Sequence, residues 1–586
     1  MADFGVKPNG FSDVTQSVQK AIDLCRSNPG TVLSFENGRY DFWPANAVKK
    51  IFYESNTSSE DELADKTKNF GLYFDHIKDI TIEGNGAMFM FHGKMSPWAF
   101  VECENIKMQN LNIDFERPTM SEMTFKTVTD SSITATIFPD SKYTIIHDRL
   151  IWYGEGWGMK NFHAIRTNPA TGINTYSSWD PFLNCSVQQI DELTVKFSGR
   201  FSGDNFKPGD VLTIRDPIRD ETGGFINLSS NISLSNINVY YMHGLGILAQ
   251  FSKDISFDHV NIAPGPGSKR TMSSFADAMH FSSCGGQIKI ENCKFKGLHD
   301  DPINVHGTHL KIIEIISESK LKIRFMHPQT YGFKAFFEHD SIAFVHPETL
   351  QVFARGQIKN SALISDYEMV IELTHPIPRG LLKGDCLENL SWTPSLTVRN
   401  CRFESVNTRG LLVTTRGKVL IEKNIFYRTG MHAILIGDDA MSWFESGPVE
   451  DVLIRGNEFI ECAYNSSPDN YAIAIAPENH SLLKNYYVHH NIRIENNIFK
   501  VYDAPIMTAR SVDGLTFKNN KIIQTHFMEP GIGNNSFRLI ACKQVIISEN
   551  NFNTDWKPVV ETKDIKKLKI NRHSFINGKM VLTKII

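Results

Sequence analysis

One short pattern recurs along most of the chain and constrains the fold more than any other feature. It has eight columns: the first and third are apolar, the fifth is Asn or a similar residue, and the eighth is Phe, Ile or Val. Successive copies are often 23 residues apart, as from Ile232 to Ile255. The copies start at Ile80, Ile106, Ile232, Ile255, Ile288, Leu396, Val419, Val452, Ile492, Leu515, Val545 and Leu568.

The repeat predicts stacked strands. Each copy alternates apolar and polar side chains and is bounded by Asn and Gly, which is typical of a short strand followed by a turn. When strands of this kind recur every 20 to 30 residues or so, each coil is one turn of a solenoid. We therefore predict an all-β fold, a right-handed parallel β-helix. The column-five asparagines, such as Asn292 and Asn400, are predicted to form the turns.

The first 30 residues or so predict an N-terminal capping helix. Asp13, with Gln16 three residues later, has the pattern of a helix start. A helix there would cover the open core and the unpaired edge of the first coil. Its apolar face would consist of Val14, Val18, Ala21, Ile22 and Cys25.

The repeat is interrupted twice, by segments with strand patterns of their own. Both segments end in a similar phrase, at residues 207–212 and 383–387, so we expect two related small β-barrel modules. Two unrelated strand-rich insertions are the alternative. The predicted domains are the cap and first coils (1–113), the first module (114–228), coils with an acidic cluster (229–307), the second module (308–392) and the last coils (393–586).

Composition narrows the classes of partner. The net charge is −4 and Lys and Arg form no runs, so nucleic acid is not an expected partner. No stretch approaches the roughly 20 apolar residues of a membrane helix. The nine cysteines stand singly, and Cys293 and Cys401 share a repeat column. We therefore expect buried thiols rather than disulfides or metal ligands.

Three aspartates on neighbouring coils form the candidate catalytic site. The coil from Ile255 is 33 residues long, and the loop-like segment 264–273 accounts for the extra ten. With that segment removed, Asp277 and Asp300 have equal offsets, and Asp301 follows. Adjacent strands lie about 4.8 Å apart, and carboxyl groups that close share a proton. A carboxylic acid beside a carboxylate is what a glycosidase needs.

Two other interpretations of these acids stay open. An acidic cluster could hold Ca²⁺ in a polysaccharide lyase or epimerase, which would need a Lys or Arg base nearby and would lose activity with a chelator. The acids could also be turn residues of a noncatalytic glycan-binding β-helix, because Asp is common at corners.

Three stretches resemble glycoside hydrolase family 110: ADAMHF at 276–281, LHDDPINVHG at 298–307 and GDDAMSWFESG at 437–447. The resemblance covers nearly the whole chain and implies a β-helix with two barrel modules. It also implies an exo-acting, inverting α-1,3-galactosidase that removes terminal galactose from blood group B antigen or linear Gal-α1,3-Gal, without a cofactor. On this resemblance Asp300 is the general acid, and Asp277 and Asp301 hold and deprotonate the attacking water. The coil geometry fits both inversion and retention, so inversion rests on the resemblance.

The sugar is expected to bind on the same face of nearby coils. Arg409 has the coil offset of Asp301 and should face it. Trp443, whose indole can stack on galactose, lies with Glu445 in a loop that lengthens another coil. We predict no metal ligands. The predicted substrate-binding residues are Arg270, His280, Asn304, His306, Arg409, Trp443 and Glu445.

The expected partner is a glycan with terminal α-galactose, and the sequence does not predict the oligomeric state. A bacterial enzyme of this kind is expected to be exported, to the periplasm, the cell surface or the medium. The N-terminus lacks a charged-then-apolar secretion signal, so we expect that a signal was removed.

Overall fold

The computed structural model describes residues 1–159, 163–177, 181–203, 205–216, 218–465, 470–531, 534–570 and the backbone of 582–585. Its body is a parallel β-helix formed by two long sheets, which we call the first sheet and the second sheet. The described part of the predicted last domain, 393–586, therefore excludes 466–469, 532–533, 571–581 and 586.

The first sheet contains the sequence repeat. Its copies pair in series, so that Ile232 lies beside Ile255 and Ile288 beside Leu396, and all the other successive starts pair in the same way. The predicted parallel β-helix and its register are confirmed. The strands of this sheet are Val32–Ser34, Arg39–Phe42, Lys78–Phe91, Glu104–Phe115, Ser230–Val239, Lys253–Ile262, Gly285–Glu291, Lys294–Lys296, Ser395–Arg399, Arg402–Val406, Val419–Glu422, Ile425–Thr429, Val452–Arg455, Glu458–Ile460, His489–Glu495, Ile498–Val501, Val512–Lys518, Lys521–Gln524, Lys543–Ser548, Asn551–Asn553 and Lys566–Ile570.

Column eight of the repeat builds an aromatic stack in the core. The rings of Phe403, Phe426 and Phe459 lie at centroid distances of 4.7 and 5.1 Å with nearly parallel planes. All three side chains are fully buried. Full burial of one such side chain stabilises the fold by about 1.5–3 kcal/mol, so the stack contributes at every coil it crosses.

The column-five asparagines form the turns, as predicted. Asn292 and Asn400 have φ angles of 56° and 54°, in the left-handed region that Asn tolerates better than most residues. The amide of Asn400 donates a hydrogen bond to Asn292 Oδ1 over 3.2 Å. The turns therefore stack on one another along the helix.

The predicted capping helix is present as Thr15–Cys25. The Asp13 carboxylate accepts a hydrogen bond from the backbone N–H of Thr15 over 2.9 Å. Val18 and Ile22 are fully buried in the same apolar cluster as the first coils. Two short 3₁₀ helices, Ala2–Phe4 and Pro44–Asn46, lie on either side of it in the chain.

The first module begins and ends inside its predicted limits of 114–228. Strand Glu104–Phe115 precedes it, and strand Gly224–Asn227 belongs to the second sheet, where it pairs with Ser96–Val101 and Ile247–Gln250. In place of a simple barrel, a seven-stranded antiparallel sheet and a three-stranded sheet enclose one apolar core. The strands are Ile173–Tyr176, His163–Asn168, Val211–Arg215, Met120–Val128, Ser132–Ile137, Thr194–Ser198 and Ser186–Asp191 in the larger sheet, and Lys142–Ile146, Arg149–Gly154 and Trp157–Met159 in the smaller.

The second module is a closed six-stranded barrel, and its strands lie within the predicted range 308–392. Its core contains Phe344, Ile358 and Ile371, all fully buried. The strands, in barrel order, are Leu310–Ile315, Lys320–Arg324, Glu368–Leu373, Gln351–Leu363, Ser341–His346 and Cys386–Asn389.

The second sheet runs along another side of the β-helix and positions the candidate site. The first module ends just before strand Gly224–Asn227 of this sheet, and the second module begins just after strand Ile303–Thr308. The strands of this sheet are Val48–Ile51, Thr67–Asp75, Ser96–Val101, Gly224–Asn227, Ile247–Gln250, Met279–Ser282, Ile303–Thr308, Leu411–Val413, Ile434–Ile436, Glu445–Ser446, Ile473–Ile475, Met507–Arg510, Phe537–Ile540, Val559–Lys563 and Leu582–Ile585.

Two predictions from composition are also met. Eight of the nine cysteines are buried free thiols, and Cys185 is half-buried. Within the described residues, the helices are too short or too polar to cross a membrane.

Candidate active site

A pocket of about 160 Å³ opens on the outward face of the second sheet. Its floor is one column of side chains on successive strands: His280 pairs with Asn304, Asn304 with Leu412, and Leu412 with Leu435. Pockets for drug-sized ligands measure roughly 300–1,000 Å³. The smaller volume suits a single sugar ring.

All three predicted aspartates line this pocket. Met279 pairs with Ile303, and Asp277 and Asp301 each stand two residues before those strands. Asp277 is therefore level with Asp301, so the predicted alignment of Asp277 with Asp300 is wrong by one position. The reason is that the inserted loop of this coil is one residue shorter than the coil lengths suggest.

Arg409 holds Asp301. Arg409 stands two residues before the next strand of the sheet, in which Leu411 lies beside Ile303. The Nε of Arg409 donates to both carboxylate oxygens over 3.0 and 2.9 Å, and its Nη2 lies 2.8 Å from Oδ2. Burial raises the pKa of Asp301, whereas the guanidinium lowers it and has its own pKa raised in return. This bidentate geometry favours the ionised carboxylate, as expected for Arg409.

Arg219 holds Asp300 at the mouth of the pocket. Its Nη2 donates to Asp300 Oδ2 over 2.6 Å. The Asp300 side chain is 20% exposed, against 6% for Asp277 and 2% for Asp301. Asp300 is therefore the carboxyl group of the three that is open to solvent and to a departing group.

Asp277 lies at the end of a buried hydrogen-bonded chain. Its Oδ2 is 2.8 Å from His280 Nδ1, and His280 Nε2 is 2.8 Å from His306 Nε2. Burial raises the pKa of Asp277 well above its usual range, and the charges of Asp300 and Asp301 raise it further. Burial also lowers the pKa of His280 to about 4. His280 lines the pocket as predicted, whereas His306 lies behind it and supports it.

The predicted loop 437–447 carries Trp443 and Glu445 to the pocket. The Asp439 carboxylate fixes the loop by accepting hydrogen bonds from the backbone N–H groups of Met441, Ser442, Trp443 and Phe444. Strand Glu445–Ser446 then pairs antiparallel with Gly307 and Thr308. A loop held at so many points presents its side chains in one arrangement.

Glu445 and Trp443 occupy different places in the pocket. Glu445 Oε1 accepts hydrogen bonds from Asn56 over 3.0 Å and from Asn304 over 3.5 Å. Trp443 lies at the rim, 42% exposed, and its ring stacks on His327 of the second module at 4.2 Å. An exposed indole backed by another ring is a suitable surface for one face of a sugar.

The prediction that Arg270 binds substrate is wrong. Its guanidinium donates to Asp140 over 2.6 Å, to Asp114 over 2.8 Å and to the Phe115 carbonyl. The side chain is 8% exposed and lies outside the pocket lining. A buried cation needs paired acids. Here Asp140 attaches the inserted loop to the first module, and Asp114 attaches it to strand Glu104–Phe115 of the β-helix.

Several pocket residues were not predicted from the sequence. Arg219 and Asn56 lie outside the repeat, so their position could not be read from coil offsets. Asp438 and Glu478 line the far wall, and burial raises the pKa of both carboxyl groups, that of Asp438 well above its usual range. Asp438 does lie in the stretch 437–447 that carries the family resemblance, so the resemblance could have indicated this residue.

Three described residues have a spacing that could hold a metal ion. Ligand atoms of His280, His306 and Glu445 lie within 4.8 Å of one another. The two imidazoles, however, already face each other through their Nε2 atoms at 2.8 Å. A metal ion would have to replace this contact. A calcium ion at the aspartates would likewise have to displace Arg219 and Arg409.

Three family models match the chain. They describe "GLAA-B beta-barrel domain I" at residues 121–212, "GLAA-B beta-barrel domain II" at 320–387 and "Right handed beta helix region" at 387–579. The two module models agree with the insertions seen in the structure.

Curated relatives match nearly the full length. Alpha-1,3-galactosidase A of Bacteroides fragilis is 43% identical over 97% of this chain and 94% of its own. Alpha-1,3-galactosidase B of Bacteroides thetaiotaomicron is 38% identical over 95% and 91%. Among solved structures, the tailspike protein of E. coli bacteriophage HK620 in complex with pentasaccharide is 12% identical, with a TM-score of 0.44 over 99% of this chain and 76% of its own.

Proposed function

Because this chain belongs to the α-1,3-galactosidases of glycoside hydrolase family 110, we propose that its pocket hydrolyses the bond of a terminal α-1,3-linked galactose. The observation that carries the proposal is the cluster of Asp277, Asp300 and Asp301 in a pocket the size of one sugar ring. A pocket of this size suits an exo-acting enzyme, because only the end of a glycan chain fits into it.

The exposure of Asp300 supports its role as the general acid. The rest of the glycan must leave through the open side of the pocket, and the acid that protonates the leaving oxygen must stand on that side. Among the three aspartates, only Asp300 has substantial exposure. Its contact with Arg219 has to open, and Asp300 has to take up a proton from solvent, before it can protonate the glycosidic oxygen.

The buried positions of Asp277 and Asp301 suit the opposite task. In an inverting reaction, water attacks the anomeric carbon from the face opposite the leaving group, and a carboxylate takes its proton. Asp277 and Asp301 stand level with each other, each two residues before one of two adjacent strands. One water molecule can therefore contact both carboxyl groups. The cycle closes when the base returns its proton to solvent and Asp300 takes one up.

The rest of the pocket supplies contacts to the sugar. Trp443 offers a ring face at the rim, and Asn304 and Glu445 offer an amide and a carboxylate near the floor. Asp438 and Glu478 add carboxyl oxygens that can accept hydrogen bonds from hydroxyl groups. We propose blood group B antigen and linear Gal-α1,3-Gal as candidate substrates.

One screen tests the proposal against both alternatives. The protein is incubated with terminal α-1,3-galactosides, with and without EDTA, and with uronic-acid polysaccharides. We expect release of galactose that EDTA does not change. Loss of activity with EDTA, or cleavage of polyuronates, would favour a calcium-dependent lyase or epimerase. Binding without any release would favour a glycan-binding β-helix.

We also propose that the protein acts outside the cytoplasm. Glycans with terminal α-galactose are presented on the outside of host cells, so the enzyme must reach them or their fragments. Fractionation of the source bacterium should find the protein in the periplasm, on the surface or in the medium. A protein confined to the cytoplasm would contradict this.

A further inference from the structure

The hydrogen-bonded chain behind Asp277 has a fixed direction at one end. His306 Nδ1 lies 2.7 Å from the carbonyl oxygen of Gly307. A carbonyl oxygen only accepts, so the hydrogen of this bond sits on Nδ1. In a neutral imidazole the other nitrogen then carries a lone pair, which places an acceptor at His306 Nε2.

This direction passes along the chain to the aspartate. Because His306 Nε2 accepts, the hydrogen of the 2.8 Å contact between the rings must come from His280 Nε2. A neutral His280 with its hydrogen on Nε2 accepts at Nδ1. The hydrogen of the 2.8 Å contact with Asp277 Oδ2 must then come from the carboxyl group.

Without this extra proton the chain is broken. If Asp277 were ionised and both rings neutral, His280 Nδ1 would donate to the carboxylate, and two lone pairs would face each other between the rings. The same proton could instead sit on His280 or His306 and leave an imidazolium in the chain with an ionised Asp277. Burial of the chain disfavours that separation of charge, and burial lowers the pKa of His280 to about 4. Burial lowers the pKa of His306 as well.

We infer that His306 is a positioning residue that, through His280, keeps Asp277 protonated, so that Asp301 alone is the base of the hydrolytic reaction. The inference rests on the proposed function and refines it. Asp301 is held ionised by Arg409 and takes the proton of the attacking water. The neutral Asp277 orients that water through its free oxygen and adds no negative charge beside the base.

The charged neighbours are compatible with this division. Asp300, Asp301 and Glu445 face the chain and disfavour an ionised Asp277, whereas Arg219 acts in the opposite direction. Glu445 Oε1 lies 3.5 Å from His306 Nε2. Since Asp300, Asp301 and Glu445 outnumber the two guanidinium groups of the pocket, Arg219 and Arg409, a proton on Asp277 lowers the repulsion within the pocket.

Neutron diffraction of the ligand-free protein tests the inference without reference to activity. After exchange into heavy water, we expect deuterium on Asp277 Oδ2, His280 Nε2 and His306 Nδ1. Deuterium on both nitrogens of His280 or of His306, or a metal ion between the two rings, would overturn the inference.

Isosteric variants test the division of roles. Asp277→Asn can donate to His280 Nδ1 as a protonated Asp277 does, so its loss of kcat/KM should be at least about tenfold smaller than that of Asp301→Asn. Asp301→Asn removes the base and should lower kcat/KM by about 10²–10⁴-fold. Equal losses in the two folded variants would contradict the inference, even though galactose release by the wild type still upheld the proposed function.

Variants of His306 provide a readout that a purely structural role would not move. His306→Phe leaves His280 Nε2 without its acceptor, so His280 can turn its hydrogen towards Asp277. The Asp277 proton is then lost at lower pH. The pH midpoint at which the Asp277 carboxyl band, identified by its absence in Asp277→Asn, disappears from the infrared spectrum should therefore move down by about one unit. His306→Gln, which retains an acceptor, should restore most of the shift. An unchanged midpoint of the Asp277 carboxyl band in His306→Phe would overturn the inference.

Discussion

At the scale of single residues, two arginines divide the work among three aspartates. Arg409 binds both oxygens of Asp301 inside the pocket, whereas Arg219 binds one oxygen of Asp300 at its mouth. In the first contact the carboxylate is buried and bound through both oxygens, which suits a base that must stay ionised. The second is open to solvent, so an arriving substrate can replace it.

Removing the proposed acid should depend on the leaving group. Asp300→Asn is expected to lower kcat/KM for a natural galactoside by about 10²–10⁴-fold, because the departing sugar oxygen then lacks a proton. For an aryl galactoside whose phenolate leaves unaided, the loss should be much smaller. Kinetics on both substrates check this. An equally large loss on both would show that Asp300 does not act as the acid.

Removing the guanidinium beside Asp301 should move the acid limb of the pH profile. Arg409 lowers the pKa of Asp301 against the effect of burial, so Arg409→Met raises that pKa. The base is then ionised only at higher pH, and the acid limb of kcat/KM moves upwards. Arg270→Met is the matched control because it breaks another arginine–aspartate ion pair, outside the pocket. Equal shifts in both variants would refute the assignment.

At the scale of elements, the repeat made the coils predictable because it is local. Each copy supplies its own strand, turn and core aromatic, and successive starts pair as the spacing indicated. Column six holds a further feature that the template did not include. Asn457 lies buried in a ladder, where its amide donates to Asn497 Oδ1 over 3.0 Å and to the Ile421 carbonyl over 2.9 Å.

The aromatic stack should dominate the stability of the coils it crosses. Phe426→Ala is expected to lower the free energy of unfolding by about 3–5 kcal/mol, because it leaves a cavity between Phe403 and Phe459. Its sequence neighbour Tyr427 points outwards, and Tyr427→Ala should cost about 1 kcal/mol. Urea unfolding of both variants measures the difference. Similar costs would mean that the stack does not hold the coils together.

The insertions were less predictable than the coils, because a long excursion from the repeat has no register. Arg270 lies beside the acids in sequence, yet the loop turns it towards Asp114 and Asp140. The same loop shifted the alignment of Asp277 by one residue. Arg219 follows the first module, and only the folded path of that module brings it to Asp300. Coil counting alone could not determine these positions.

At the scale of the whole molecule, the pocket is assembled from segments far apart in the chain. The β-helix supplies the floor and the acids, an early loop supplies Asn56, and a late loop supplies Trp443 and Glu445. The second module backs Trp443 with His327, and its Thr330 donates to Asn56 Oδ1 over 3.0 Å. The module therefore shapes the rim, although it contributes none of the three aspartates.

The rim should act mainly in binding. Trp443→Ala is expected to raise KM by about tenfold with a smaller effect on kcat, because it removes a stacking surface for the sugar and leaves the acids in place. Tyr153→Ala is a suitable control, since Tyr153 is similarly exposed, at 40%, on the first module. A large fall in kcat without a change in KM would contradict this role.

The most direct test of the account is ¹H NMR of the first seconds of hydrolysis of a terminal α-1,3-galactoside by the wild-type protein. If Asp300 protonates the leaving oxygen while water is deprotonated on the opposite face, β-galactose appears first and then mutarotates. Initial release of α-galactose would contradict the proposed roles, because it would require a covalent intermediate on one of the aspartates.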